Sequence, residues 1–199
     1  MLPLWRVTRT DSARSLYEAL KRVGVTATAM YEYERALASA TDDEPPALPA
    51  GVSVETRRHE ALADRSHDVD FSLPVSPLPG ERAVVAVHAG RPVGRTLVSA
   101  GVDPEVHPLE RRLAFPGAYV RRVFVAPGWR TEGIASRLLY RALVVAGEEL
   151  DGDRASALVA ADNRPSRRLF EGRGFERVRS HRYVRVGRFS RRRTRALDG

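Results

Sequence analysis

The stretch Val123-Phe-Val-Ala-Pro-Gly-Trp-Arg-Thr-Glu-Gly-Ile-Ala-Ser136 sets a β-branched run, a proline, Arg130 and Gly133 directly ahead of a helical apolar stripe. These residue types suit holding a phosphate. The first amides of a helix lack intrahelical partners, and the helix dipole adds partial positive charge. A glycine lets backbone approach a ligand closely, and an arginine supplies a fixed cation. A nucleoside triphosphate fits poorly. Gly128 and Gly133 satisfy the G-x-x-x-x-G half of a P-loop, but Ile134-Ala135 stand where lysine and a hydroxyl residue would be needed. No G-x-G-x-x-G follows any expected strand and no G-x-S-x-G is present, so the dinucleotide and α/β-hydrolase signatures are both missing. The absence of cysteine excludes disulfides, thiolate metal sites and cysteine nucleophiles. Asp64, His67, Asp68 and Asp70 have metal-ligand chemistry but no metal-motif spacing; they read as a solvated loop, and no metal is expected.

Positioning this turn requires a strand that stops at Pro127 and a helix that follows. Tyr119–Ala126 reads as the strand, and Ile134, Leu138, Leu139, Ala142 and Val145 mark a helix from near Thr131 to Leu150. Ala155–Ala161 reads as a buried strand, giving a right-handed βαβ crossover. Pro165–Glu171 reads as a short helix, and Phe175–Val186 as one or two closing strands. Upstream, Val52–Thr56, Arg82–His88 and Val93–Ala100 read as strands, the last two a hairpin through Ala89-Gly-Arg-Pro92, with a helix at His59–Arg65 and a loop over 66–80. The first 50 residues form an N-terminal extension: a strand at Trp5–Thr8, a helix capped by Asp11 or Ser12, and a strand from Val25 to Tyr33. A helix over 29–38 is the alternative to that strand. The Pro-rich acidic stretch 41–51 is a linker. The fold class is α+β with a mixed sheet.

The net charge of +8 is unevenly placed. Residues 180–199 hold seven arginines and one aspartate, while the rest of the chain is close to neutral. Residues 187–199 read as a basic C-terminal tail, solvated and mobile, and any nucleic-acid contact would be made only through it. No apolar run approaches the ~18 residues of a membrane span, and the start is broken by charge too early for a secretory signal. A soluble cytoplasmic protein with no membrane partner is expected.

Val125-Ala-Pro127 followed by Arg130-Thr-Glu-Gly133-Ile-Ala135 resembles the core motif of the GNAT acetyltransferase superfamily, in which V-x-P ends a strand and Arg/Gln-x-x-Gly-x-Gly/Ala opens a helix. A second motif of that family is similar to Asn163, Phe170 and Gly174-Phe175. The resemblance covers residues 51–186 and is weakest before 82. It implies a mostly antiparallel twisted sheet flanked by helices and splayed between its two central strands. It further implies acetyl-CoA as co-substrate, with the backbone of Val123, Phe124 and Val125 pairing with the pantetheine amides. Amides of Thr131, Glu132, Gly133, Ile134, Ala135 and Ser136, with Arg130 alongside, would cradle the diphosphate. Asn163 would hydrogen-bond the pantetheine arm, and Phe170 would belong to the same side; structurally, Asn163 could instead begin the helix at Pro165.

Acetyl transfer to an amine needs a base, an oxyanion donor and help for the departing thiolate. By resemblance the donor is the Val125 N–H. The family usually has tyrosine as acid where this chain has Phe170, which has no proton to give. Some relatives carry a glutamate base at the position of Tyr119, so Tyr119 and Tyr183 are the catalytic candidates; both also suit packing. His107, Glu110 and His181 fall in segments that could border an acceptor cleft, and Arg121 or Arg122 could select an acidic acceptor. The expected function is direct N-acetyl transfer to a primary amine of a small molecule or a protein. The rival readings are a non-catalytic acetyl-CoA-binding module and a nucleic-acid-associated protein. The first 50 residues either pack on the core or mediate a homodimer.

Overall fold

The computed structural model describes residues 25–37, 44–58 and 76–197. The expected strand at Trp5–Thr8, the helix after Asp11, the helix His59–Arg65 and the Asp64–Asp70 group lie outside these residues. In chain order the first elements are β1 (Val25–Ala36), β2 (Val52–Arg58), β3 (Arg82–His88), β4 (Arg91–Val102), β5 (Glu105–Val106), β6 (Arg111–Arg112) and β7 (Phe115–Val125). Then come α1 (Ile134–Glu148), β8 (Arg154–Ala160), α2 (Arg164–Glu171), β9 (Glu176–Val186) and β10 (Phe189–Ala196). The fold is α+β with mostly antiparallel pairing and one parallel pair, β7 with β8. The chain divides into two compact units, and β1 and β8 contribute residues to both.

One unit comprises residues 34–104 and 113–157. β2, β3, β4 and β7 lie side by side in it, each antiparallel to the next. β3 is a near-continuous Val/Ala run with Ala83–Ala86 buried on both its faces, and β4 is buried from Val93 to Ser99. Helix α1 lays Ile134, Leu138, Leu139, Ala142, Leu143, Val145 and Ala146 into the core. Gly94 on β4 permits that approach: a Cβ there would stand 3.0 Å from Leu138 and 3.1 Å from Ile134. The hairpin at Ala89-Gly90 is where the sequence puts it. β4 and β7 are longer than expected, and the short β5–β6 hairpin around a 3-10 turn at His107–Leu109 was not anticipated. Two-residue strands carry too little periodicity to read.

The other unit holds the described residues 25–33, 105–112 and 158–197, with strand order β8, β1, β9, β10. The alternative of a helix over 29–38 is wrong, since β1 runs unbroken to Ala36. The closing segment makes a single strand, Glu176–Val186, rather than two. The mobile tail is also a misreading: Phe189–Ala196 is strand β10, antiparallel to β9 from Phe189↔Val186 to Ala196↔Arg179. Gly187 at φ +57 supplies the tight turn between them. The run is solvated as its composition says, every residue of β10 being exposed, but it is a paired strand, and Arg192 on its inner face meets Glu110.

Candidate functional site

β7 is irregular where the site begins. Leu97 pairs with Arg121 and Arg95 with Phe124, so β7 has one residue more than β4 over this interval, and Arg122 takes φ +58. A bulge bends and twists the strand that carries it. The parallel ladder to β8 accordingly covers only Ala118↔Ala155, Tyr119↔Ser156 and Val120↔Ala157, although β7 continues to Val125. Beyond the bulge, the Ala126 N–H donates to Val93 O at 2.9 Å. Strand alternation therefore turns the N–H and C=O of Val125 away from β4. The Val125 carbonyl accepts from Arg130 Nε at 3.1 Å, which holds that guanidinium beside the strand end.

Pro127–Trp129 forms a 3-10 turn, and Thr131 at φ +71 and Gly133 at φ +76 bend the chain into α1. Gly133 is the N-cap and offers no side-chain acceptor. The first helical bond is Arg137 N–H to Gly133 O at 3.1 Å, so the amides of Ile134, Ala135 and Ser136 precede the ladder. Thr131, Glu132 and Gly133 are exposed. The segment 44–49 passes close by: Arg137 Nη1 donates to Pro46 O at 3.2 Å, and Ala47 O lies 3.1 Å from where a Gly133 Cβ would be. Amides that precede the helical ladder, a helix dipole and one guanidinium are together features able to hold an anion. The chain thus brings Val123–Ser136 into one strand end and turn.

Tyr119 lies on the same strand, buried, its ring stacked on Phe115 at 4.1 Å. The ladders align it with Ser99 of β4 and Ser156 of β8, both buried, and Ser99 Oγ has no hydrogen-bond partner. Sequence reading missed this row, because no local pattern reveals which residues three strands will align. Arg121 is committed to a partner within the chain. Its Nε and Nη2 grip Glu81 at 2.7 and 2.9 Å, and Nη2 also donates to Ser76 O at 3.0 Å.

Asn163, Phe170 and Tyr183 belong to the other unit. Asn163 caps α2, its Oδ1 accepting from the Ser166 N–H at 3.2 Å. Phe170 is buried between Tyr33 and Phe175, with ring centroids 6.2 and 5.1 Å away. Tyr183 is buried and donates its hydroxyl to Glu110; burial, that hydrogen bond and the Glu110 charge all raise its pKa. Glu110 also takes Arg185 at 2.9 Å, while His107 is exposed.

His181 is buried. Its Nε2 lies 2.8 Å from Glu32 Oε2 and its Nδ1 3.2 Å from Thr194 Oγ1, and Arg179 donates to Glu32 Oε1 at 2.7 Å. Burial pushes the Glu32 pKa up, but the His181 hydrogen bond and the Arg179 charge outweigh it and leave it below the ordinary 4.5. A lowered folded-state pKa stabilises above the unfolded value and is lost as pH falls through the folded one. Comparing Glu32→Gln with wild type by urea unfolding, the stability difference should be largest near neutrality and shrink on acidification below about pH 5. A difference constant with pH would refute the assignment.

Among the described residues no three His, Asp or Glu side chains gather as a metal site, and no described helix is long and apolar enough to cross a membrane. No curated protein matches the chain. Solved structures do. A GCN5-related N-acetyltransferase from Kribbella flavida is 18% identical with a TM-score of 0.55, over 87% of this chain and 64% of that one. A GCN5-related N-acetyltransferase from Sphaerobacter thermophilus is 17% identical with a TM-score of 0.52, over 95% and 59%. A tandem GNAT protein from the clavulanic acid biosynthesis pathway is 20% identical with a TM-score of 0.55, over 96% and 60%. The chain thus spans about three fifths of the length of these structures, and at such identities the likeness is one of fold. A sequence model of the Acetyltransferase (GNAT) family matches residues 38–175, which include the bulged strand, the turn and the capped helix α2. With the match running over more than half of its length, the chain belongs to the GNAT acetyltransferase family.

Proposed function

We propose that the protein moves an acetyl group from acetyl-CoA to a primary amine by direct transfer within a ternary complex. The observation that carries this reading is the end of β7. The parallel ladder stops at Val120, the Val125 N–H is turned away from β4, and α1 opens on an exposed glycine N-cap. The Ile134–Ser136 amides and Arg130 hold the diphosphate, and the strand edge at Val123–Val125 holds the pantetheine arm. Bound acetyl-CoA supplies a thioester carbonyl and a fairly good leaving group. The Val125 N–H donates to that carbonyl oxygen, where charge develops in the transition state. The Tyr119 hydroxyl, in its row with Ser99 and Ser156, orients a water that carries the amine proton out to bulk solvent. Tyr183, whose hydroxyl donates to Glu110, is the remaining acid candidate. The acceptor is an amine of a small molecule or a protein.

The chain contains no cysteine, so a thiol-reactive dye reports only released CoA. Acetyl-CoA should bind in calorimetry, and dye signal should rise with at least one member of a broad amine panel. Absence of binding at millimolar acetyl-CoA would end the proposal. Binding without thiol release would favour a second reading, a non-catalytic acetyl-CoA-binding module, which Phe170 in the usual tyrosine position and the Tyr183–Glu110 bond support.

A further inference from the structure

The hairpin of β9 and β10 divides its arginines by face. On the inner face, Arg179 meets Glu32, Arg185 meets Glu110, and Arg192 lies over the Tyr183 ring at 4.8 Å and donates to Glu110 O. On the outer face, Arg182, Arg191, Arg193 and Arg195 have no acidic partner among the described residues. Directly opposed residues of an antiparallel pair project to the same side. The register Val184↔Arg191, Arg182↔Arg193 and Ser180↔Arg195 therefore collects all four on one surface. Arg182 and Arg193 stand directly across from each other, a like-charge pairing that costs stability unless an anion relieves it. Arg182, Arg193 and Arg195 line a pocket of about 160 Å³ with Tyr31, Ser180 and Leu197. Arg167 and Arg177 reach over the Tyr31 ring at 5.3 and 5.4 Å; Arg177 is paired with Glu171 at 3.4 Å, so Arg167 is the one that adds positive charge at the pocket's side.

Along β10 the same face reads Phe189, Arg191, Arg193, Arg195 at every second residue, with Phe189 71% exposed. Residues two apart in a strand are ~6.7 Å apart. That is a row, not a convergent nest. A single small phosphate would need cations gathered on one point, whereas a row with an aromatic at one end matches consecutive phosphates of a polymer with a base stacked at its side.

We propose that the outer face of the β9–β10 hairpin, Arg182, Arg191, Arg193 and Arg195 with Phe189, is a binding surface for the backbone of single-stranded nucleic acid. It is separate from the acetyl-CoA turn, which lies in the other unit and shares no residue with it. The four arginines neutralise phosphates and Phe189 offers a face to a base. Binding is electrostatic and indifferent to sequence.

The test is fluorescence anisotropy of the full chain with labelled oligo-dT over a salt series. Each neutralised phosphate on a single strand contributes about −0.7 to the slope of log affinity against log salt, so wild type should show about −2 to −3. Arg182→Ser/Arg193→Ser/Arg195→Ser should flatten the slope by about 2 and weaken binding about tenfold or more at low salt. The matching triple lysine variant should keep the wild-type slope. Phe189→Ala should cost about fivefold or more in affinity and leave the slope unchanged. Melting temperature and acetyl-CoA calorimetry, run on each variant, report folding and the other site separately. The proposal is overturned if wild type fails to bind oligo-dT at low salt, or if the serine variant, folded, binds as wild type does. It also falls if vesicles with anionic lipid bind through these arginines and oligo-dT does not compete.

Discussion

Gly133→Glu should lower acetyl-CoA affinity about a hundredfold. A like charge set against a bound anion costs several kcal/mol, and here it would project from the N-cap of α1 toward the diphosphate. Backbone strain adds to this. Gly133 sits at φ +76, where a residue with a Cβ pays about 1–2 kcal/mol, and the new Cβ would press on Ala47 O at 3.1 Å. Gly133→Ala separates the two effects, because it carries the same strain without the charge. Calorimetry should show a modest loss for alanine and a large one for glutamate, with thermal melts confirming that both variants fold. If the glutamate variant bound acetyl-CoA as tightly as wild type, the diphosphate would not lie at this turn.

Glu81→Ala should cost about 3–5 kcal/mol of stability, the usual consequence of removing one partner of a buried ion pair. The Glu81 side chain is fully buried and that of Arg121 only 13% exposed, so the arginine left behind could not recover its hydration. Glu81 also accepts from the Leu78 N–H, and Arg121 holds Ser76 O, so the loop before β3 would loosen with the pair. For a chain of this size the melting temperature should fall by about 6–20 °C. Replacing both residues by apolar ones, Glu81→Leu with Arg121→Met, should recover most of the loss, because the penalty belongs to the orphaned charge. A single-variant loss below about 1 kcal/mol would show that solvent reaches Arg121 more easily than its burial implies.

The turn around Arg130 and Gly133 was legible because its signals are local. A β-branched run, a proline, two glycines and a 3.6-residue stripe each constrain the backbone where they stand, and the family resemblance rested on those same residues. The bulge at Arg122 was not legible: a positive φ at an arginine has no sequence signature, and the pairing with β4 imposes it. The arginine run of 188–195 misled for a related reason. Its composition is that of a solvated segment and its residues are indeed exposed, yet β9 offers it a complete ladder, and Glu110, the carboxylate that Arg192 meets, lies far away in sequence.

Local signals in the chain were enough for the α+β class, for the order β3, β4, β7, α1, β8, α2, β9 without the short β5–β6 hairpin, and for the turn suited to a diphosphate. Those features follow from propensity, periodicity and turn chemistry, all of which act over a few residues. Where the β7–β8 ladder stops, and that Tyr119 shares a row with Ser99 and Ser156, was settled by the assembled sheet. It also decided that Arg121 is committed to Glu81, and which arginines of the last hairpin are paired. Each of these depends on strand register and on charges brought together from distant segments, and register is set by packing across the whole sheet.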